Sequence, residues 1–183
     1  EDLHAFTQFF ETRYILGNEK LYHKWNKKVF DSLTEEHKQK LILDFLEDIK
    51  LRYAKYGESA KVLEPNVKYT AGGLRDLQVI EWIFTLKNDL MLTSQEEITQ
   101  TQNFLSIIKK DKILIPRAVA RLQESYRLIL NARNHLHLIS KYKNDRLEFI
   151  YQEKIANVLG FSGDGWHAYM RKYFDAANII KRF

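Results

Sequence analysis

Residues Glu64–Ile83 read EPNVKYTAGGLRDLQVIEWI, and this stretch contains the start of a helix that is apolar almost all round. Pro65 excludes a helix before it and favours extended geometry in the residue that precedes it. The pair Gly72 and Gly73 allows a tight turn, and apolar side chains surround the helix axis from Leu74 onward. A helix of this kind is central in its domain, which favours an all-α fold.

The polar residues of this helix fall within a strip about 80° wide when successive residues are placed about 100° apart. They are Gln78, Glu81, Thr85 and Asn88. Such a strip predicts either a thin line of solvent exposure or one wall of a polar cleft. Glu81, in the middle of the strip, is therefore a candidate for a structural or site network.

The composition favours one sizeable domain of long helices. Apolar residues make up 45% of the 183-residue chain, with only seven glycines and two prolines. The lack of cysteine excludes disulfides and thiolate metal sites and favours a cytoplasmic location. No apolar run approaches the roughly 20 residues that cross a bilayer, so no membrane partner is expected. The formal charge of +5 fits either a solvated basic surface or an anionic partner.

Capping signals divide the chain into about eight helices of a single helical-bundle domain over residues 1–183. A short extended segment is expected over residues 60–71. The expected helices are Leu3–Leu16, Asn18–Asp31, Thr34–Tyr56, Gly73–Leu90, one from a Ser94–Glu97 capping box, Pro116–Lys141, one from an Asp145–Glu148 box to Gly160, and one from Asp164. The chain starts without methionine and stops within a helical pattern, which is typical of a domain cut from a longer protein.

The glycine pair before the fourth helix also predicts an anion site. Backbone N–H groups at a helix N-terminus bind anions when no side chain blocks them, as at Gly72 and Gly73. Lys68 and Arg75 provide two cations on either side, and the helix dipole stabilises the carboxylate of Asp76 in the first turn. A purely structural turn is the alternative, because tight turns commonly contain glycine pairs.

The sixth helix has two polar residues on its apolar face. Arg133 and His137 fall within the arc defined by residues such as Val119 and Leu122. A guanidinium on an apolar face requires a partner or serves a site. The pattern predicts either a buried structural network or a functional site.

No complete active site is recognisable. The sequence has neither a glycine-rich phosphate loop followed by Lys-Ser/Thr nor a Gly-x-Ser-x-Gly elbow. The histidines lack a zinc spacing, since His135 and His137 point to different faces of one helix. Asp44 and Asp48 share a helix face and fit the solvated side of an amphipathic helix. We therefore expect no metal ligand and no catalytic residue in this chain.

The Glu64–Ile83 stretch is similar to the signature of bacterial PII uridylyltransferases, Glu-Pro-Asn-(Ile/Val)-Lys followed by Gly-Gly-Leu-Arg-Asp-(Ile/Leu)-Gln. A looser form marks the related glutamine synthetase adenylyltransferases. Other segments resemble the family in order, namely FETRYILGNEKLY, YAKYG, NARNHLHLISKYKNDRLEFIYQEKIANVLGF and YMRKYFDAANII. The chain differs at Thr70-Ala71, where the family often has Gly-Pro, and this difference is expected to loosen the turn.

The resemblance implies a helical domain that follows and packs on a nucleotidyltransferase core. The Asp-x-Asp pair of that core is absent from this sequence, as are the His-Asp domain and the ligand-sensing domains of the family. The resemblance implies that the parent enzyme uses Mg²⁺ and a nucleoside triphosphate to transfer UMP to a PII-like regulatory protein. Neither Mg²⁺ nor the triphosphate is expected to bind this chain alone. Lys68 and Arg75 would contact the nucleotide, with Asn66 and Gln78 as orienting groups.

Three alternatives remain at this stage. The domain could belong to a nucleotidyltransferase fused to CBS or cyclic-nucleotide sensor domains, or it could be a purely structural interaction module. A small helical ribonuclease is the third, since Arg133 and His137 share a helix face and could act in acid–base chemistry on a phosphodiester. The family resemblance points away from this third alternative, so no nucleic acid partner is expected.

Overall fold

The computed structural model describes residues 3–90, 99–161 and 165–183, and the all-α prediction is confirmed in those ranges. No strand is assigned in them beyond one isolated bridge, between Asn66 and Arg146. The helices are α1 (Leu3–Phe10), α2 (Glu19–Asp31), α3 (Glu35–Tyr56), α4 (Leu74–Asn88), α5 (Gln100–Lys110), α6 (Pro116–Ser140), α7 (Phe149–Val158) and α8 (Gly165–Arg182). None of the helices in these ranges has the length and apolarity that a bilayer crossing requires.

Several predicted helix ends agree with the structure. The side chain of Asn18 accepts a hydrogen bond from the Leu21 N–H at the start of α2, and Thr34 caps α3 in the same way. Gly57 ends α3 with φ of 107°, which favours glycine. Pro116 occupies the first turn of α6. The predicted caps Ser94 and Asp164 lie outside the described residues.

The first helix is shorter than predicted, because it ends at Phe10 and not at Leu16. Bonds from side chains hold the following residues in a loop. The Tyr22 hydroxyl of α2 donates to the carbonyl oxygen of Thr12 at 3.0 Å. The Tyr14 hydroxyl donates to the carbonyl oxygen of Gly17. The first contact satisfies the Thr12 carbonyl, which a helix to Leu16 would have bonded to the Leu16 N–H.

The capping box predicted from Asp145 and Glu148 is wrong. Glu148 precedes α7 but makes no side-chain cap bond. Glu64 serves as the acceptor instead, since its Oε1 accepts the N–H of Phe149 at 3.0 Å and its Oε2 accepts from Arg146 at 2.9 Å. The Glu64–Ile83 stretch therefore holds the start of a helix that is more than 80 residues away in the chain.

Helix α4 lies between two apolar clusters, and this position explains why it is apolar almost all round. Leu74 and Leu77 belong to the larger cluster, which includes residues of α5, α6, α7 and α8. Val79, Trp82 and Leu86 belong to a smaller cluster with α1 and α3. The prediction of a central fourth helix is therefore confirmed.

The segment between α3 and α4 consists mostly of turns, which corrects the extended geometry predicted for residues 60–71. Only the part around Asn66 is paired, through the Val67 N–H to the Asp145 carbonyl at 2.7 Å and the Leu147 N–H to the Pro65 carbonyl at 2.9 Å. The hydroxyl of Thr70 accepts the Asn66 N–H at 2.9 Å and donates to the Tyr56 carbonyl. These two bonds of Thr70 therefore stabilise the turn, contrary to the loosening expected at Thr70-Ala71.

Candidate functional site

Asp76 is the centre of a hydrogen-bond network at the start of α4. Its carboxylate accepts the Gly72 N–H at 2.7 Å, the Tyr53 hydroxyl at 2.7 Å and the Arg52 Nη1 at 3.0 Å. Burial and the bond to Asp76 raise the pKa of Tyr53 above its usual range. Because Arg52 and Tyr53 belong to α3, the network fixes α4 against α3.

The glycine pair is required by close approach of other backbone groups. Gly72 has φ of +80°, and a Cβ atom there would lie 2.0 Å from the carbonyl oxygen of Ala177 in α8. A Cβ atom on Gly73 would lie 2.8 Å from the carbonyl oxygens of Lys68 and Thr70. Close packing against the protein backbone therefore explains why both positions are glycine, and this explanation involves no ligand.

The backbone N–H groups at the start of α4 already have acceptors within the protein. The N–H of Gly72 donates to Asp76. The next three donate to carbonyl oxygens, Gly73 to Thr70 at 2.8 Å, Leu74 to Val67 at 3.1 Å and Arg75 to Lys68 at 2.9 Å. This geometry argues against the backbone anion cradle expected at Gly72 and Gly73, and it limits any anion contact here to side chains.

Asn66 and Gln78, the expected orienting groups, bind protein groups in the structure. The Asn66 Oδ1 accepts the N–H groups of Lys68 and Tyr69 at 3.1 and 2.8 Å, which shapes the turn before α4. Gln78 donates from Nε2 to the Glu11 Oε1 at 3.0 Å. The structure therefore brings Asn66 close to Lys68 but places Gln78 beside α1.

Lys68 and Arg75 do come together, because both lie beside Tyr69, a residue that the sequence analysis missed. The Lys68 Nζ lies 5.0 Å from the ring centroid of Tyr69, and the Arg75 Cζ lies 6.0 Å from it. Burial acts to raise the pKa of Tyr69, but the neighbouring cations of Lys68 and Arg75 outweigh it and hold that pKa below its usual value. We call Lys68 and Arg75 the cation pair.

The two members of the cation pair differ in how firmly they are held. The Arg75 Cζ lies 5.0 Å from the centroid of the Trp82 ring, and its Nη1 is 4.0 Å from the Glu11 carboxylate. Lys68 is partly exposed and forms no ion pair with any residue in the described ranges. Lys68 is therefore the more available of the two cations.

Arg133 and His137 form a second network around Asp145. The Arg133 Nε lies 2.7 Å and the His137 Nε2 3.1 Å from the same carboxylate oxygen. Burial acts to raise the pKa of Asp145, but Arg133 and His137 outweigh it and lower that pKa. Since the Asp145 carbonyl also accepts the Val67 N–H, the arrangement is structural and argues against a ribonuclease site.

The centre of the polar strip of α4 is covered, so the line of solvent exposure, one of the two alternatives predicted for this strip, is wrong there. Glu81 is 2% exposed and Thr85 is 1% exposed. Burial raises the pKa of Glu81 to about 8, although a hydrogen bond with Thr101 opposes the shift. Glu81 therefore lies inside the domain, beside Thr101 of α5.

Sequence reasoning missed Arg52, Tyr53 and Tyr69. Asp48, expected on a solvated face, instead accepts a bond from the Arg52 Nε at 2.9 Å. The spacing of four residues between Asp48 and Arg52 was the available signal, because such residues are neighbours on a helix. In the ranges that the structure describes, no three histidine or acidic side chains come together as a metal site.

Comparisons with known proteins identify the family of this chain. Residues 42–183 match the family described as GlnD PII-uridylyltransferase. Bifunctional uridylyltransferase/uridylyl-removing enzymes are similar over nearly the whole chain. The one from Haemophilus influenzae is 31% identical over 98% of this chain and 20% of its own length, and the one from Hydrogenovibrio crunogenus is 30% identical over 100% and 20%.

The chain thus spans about a fifth of the length of these relatives. The family match covers α4 and the Glu64–Ile83 stretch together with most of α3 and all of the later helices. On this match, the chain belongs to the PII-uridylyltransferase family.

Proposed function

We propose that this chain is a non-catalytic helical module of a nucleotidyltransferase that transfers a nucleoside monophosphate, UMP by resemblance, to a PII-like regulatory protein. The module would pack on the catalytic core and help to position the nucleotide and the protein substrate. Family membership supports the reaction class. The same proposal includes a cytoplasmic location. Its alternative is a full protein in which CBS or cyclic-nucleotide sensor domains accompany the nucleotidyltransferase.

The cation pair is the observation that carries the proposal. Lys68 and Arg75 both lie beside Tyr69 in a partly exposed region, and the bond from Arg52 to Asp76 holds this region against α3. Nucleotidyl transfer depends mainly on positioning and on stabilising negative charge. A cation held on a rigid scaffold meets both needs, and Lys68 has no internal carboxylate partner in the described ranges.

An exposed apolar surface supports packing on another domain. The side chains that follow α1 and begin α2 are unusually exposed for apolar groups, at 72% for Ile15, 83% for Leu16 and 64% for Leu21. Trp25 adjoins them at 39%. Apolar patches of this kind mark interaction sites on soluble domains. We call Ile15, Leu16, Leu21 and Trp25 the α1–α2 patch.

Mg²⁺ and the triphosphate are assigned by this proposal to the catalytic core. The described residues include no cluster of metal-binding type, so this chain would supply side-chain cations only. The isolated chain is accordingly proposed to be inactive. Incubation of the chain with labelled UTP, Mg²⁺ and a PII protein tests this, and labelling that survives repurification would contradict it.

The nucleotide role is tested by Lys68→Ala in the full-length enzyme. We expect the rate of transfer to a PII protein to fall on the order of a hundredfold, because a cation aimed at phosphate charge contributes a few kcal/mol. The melting temperature should change little, since Lys68 is partly exposed. Lys61→Ala is the matched control, because Lys61 is exposed on the same segment.

A purely structural module predicts a different result for the same variants. In that case Lys68→Ala and Lys61→Ala would both transfer at the parent rate. An unchanged rate in a stable Lys68→Ala enzyme would therefore rule out the nucleotide role and leave only the packing role.

A further inference from the structure

A cavity of about 280 Å³ lies next to the cation pair, between α1, α3 and α4. The side chains that line it include Glu11, Asp48, Arg52, Tyr69, Arg75 and Trp82. A space of this size accommodates a small polar group together with part of the molecule that carries it. Two guanidinium groups, those of Arg52 and Arg75, line the same space.

Arg52 is rigidly held, yet one of its nitrogens has no partner. The residue is 7% exposed. Its Nε donates to Asp48 at 2.9 Å, and its Nη1 donates to Asp76 at 3.0 Å. The buried Nη2 has no hydrogen-bond acceptor in the described parts of the chain. A buried donor without an acceptor is costly, so a ligand that supplies one would gain free energy.

The carboxylates of the cavity are already engaged to different extents. Asp48 accepts from the Arg52 Nε. Glu11 accepts from Gln78 at 3.0 Å but lies 4.0 Å from the Arg75 Nη1, and its side chain is 42% exposed. Glu11 is therefore the weakest partner here and can turn towards solvent, which would free the donors of Arg75.

We infer that this cavity binds an oxyanion through the guanidinium groups of Arg52 and Arg75 and the hydroxyl of Tyr69. Guanidinium groups suit phosphate and carboxylate oxygens because their N–H donors form a planar fork. Positive and negative side chains are balanced around the cavity, so recognition depends on donors that lack acceptors. The inference rests on the proposed function only in the molecule that would carry the oxyanion. That oxyanion is a nucleotide phosphate or a carboxylate.

The inference is tested on the isolated chain by titration with inorganic phosphate at constant ionic strength. NMR of the arginine side-chain N–H groups reports the Arg52 Nε directly, because that group is held by Asp48. We expect a saturable shift of this resonance with an affinity in the millimolar range or better, about −4 kcal/mol. The absence of a saturable shift up to about 10 mM phosphate would overturn the inference.

Two variants should change the affinity in opposite directions. Arg75→Gln should weaken phosphate binding about tenfold or more, because a charge-assisted donor is lost. Glu11→Gln should strengthen binding, because a competing negative charge is removed while the amide can still bond to Gln78. Arg117→Gln is the control, since Arg117 is exposed at the start of α6, outside the cavity. Equal affinities for all three variants would also overturn the inference.

Further titrations separate the source of the oxyanion and the two proposals. Preference for pyrophosphate over acetate would identify a nucleotide phosphate, and the reverse would identify a carboxylate. If phosphate fails to bind while Lys68→Ala still slows transfer in the full-length enzyme, only the cavity inference falls. If phosphate binds but Lys68→Ala transfers normally, only the nucleotide role proposed for Lys68 falls.

Discussion

The Nη1 of Arg52 on α3 donates to the Oδ1 of Asp76 on α4 at 3.0 Å, and both side chains are buried. The same carboxylate accepts the backbone N–H of Gly72. One acidic side chain therefore joins α3, the glycine turn and the first turn of α4. This joint sets the position of the turn that carries Lys68 and Arg75.

Replacement of Asp76 with alanine should destabilise the domain strongly. The change leaves the buried Arg52 guanidinium without one of its two carboxylates and removes the acceptor of the Gly72 N–H. We expect the free energy of unfolding to fall by about 3–5 kcal/mol. Urea unfolding followed by circular dichroism measures the change.

Glu47→Ala is the matched control for Asp76→Ala. Glu47 pairs with Lys50 at 3.3 Å, but both side chains are more than half exposed. Exposed pairs of this type contribute less than about 1 kcal/mol. Equal losses of stability in the two variants would show that the Asp76 network contributes no more than a surface ion pair.

Replacement of Gly72 with alanine should be far more damaging than the same change at Gly160. The two glycines have nearly equal φ angles, +80° and +82°, but a Cβ atom at Gly160 meets nothing within 4 Å, whereas one at Gly72 lies 2.0 Å from the Ala177 oxygen. Backbone strain alone costs about 1–2 kcal/mol, so Gly160→Ala should lower the free energy of unfolding by that amount. Gly72→Ala should lower it by roughly 4 kcal/mol or more.

Thermal and urea unfolding of the two glycine variants separate steric clash from backbone strain. The excess loss in Gly72→Ala reports the contact between the turn and α8. If the two variants unfold alike, the backbone of α8 does not approach Gly72 as closely as the structure shows.

The sequence predicts those parts of the fold that depend on neighbouring residues. Asn18 and Thr34 cap their helices with bonds to residues three positions away, and such signals are local. The central position of α4 follows from its own apolar pattern. The predicted start of α7 failed because its acceptor, Glu64, lies 85 residues from Phe149 in the chain.

The candidate site shows the same division between local and long-range contacts. Lys68 and Arg75 could be predicted because they flank one turn. Arg52 could not be placed beside Asp76, because the two residues are 24 positions apart on different helices. The burial of Glu81 was also beyond prediction, since the pattern of one helix does not show which element covers its polar strip.

Arg133→Ala should destabilise the domain because Asp145 is largely buried. The Asp145 side chain is 10% exposed, and Arg133 donates to it at 2.7 Å. Loss of this charge-assisted bond should lower the free energy of unfolding by roughly 2–4 kcal/mol. Arg127→Ala, an exposed residue of the same helix, provides the comparison. If both variants unfold like the parent, Asp145 does not depend on Arg133.

Glu81 should make the stability of the domain fall as pH rises. Burial raises the pKa of Glu81 to about 8 from its ordinary value of 4.5, so the folded protein binds one proton more than the unfolded chain between these values. The contribution of Glu81 is therefore complete below about pH 4.5 and is lost as pH rises to about 8.

Glu81→Gln isolates this contribution, because glutamine stays neutral while other titrating groups remain. We expect the variant to gain stability relative to the parent as pH rises from about 5 to 8, by a few kcal/mol in all. Urea unfolding at a series of pH values measures the difference. A difference that does not vary with pH would show that Glu81 titrates normally in the folded protein.

The α1–α2 patch should be covered in the full-length protein. Leu21 is 64% exposed in this domain, so Leu21→Glu should change the stability of the isolated chain by no more than about 0.5 kcal/mol. In the full-length protein the same change should lower the melting temperature, because burial of a leucine side chain contributes about 1.5–3 kcal/mol. Leu43→Glu is the control, since Leu43 is 65% exposed on α3. Hydrogen exchange at residues 15–25 should be slower in the full-length protein than in the isolated chain. If Leu21→Glu and Leu43→Glu melt alike there and exchange at these residues is not slowed, the patch is not the surface that packs on the core.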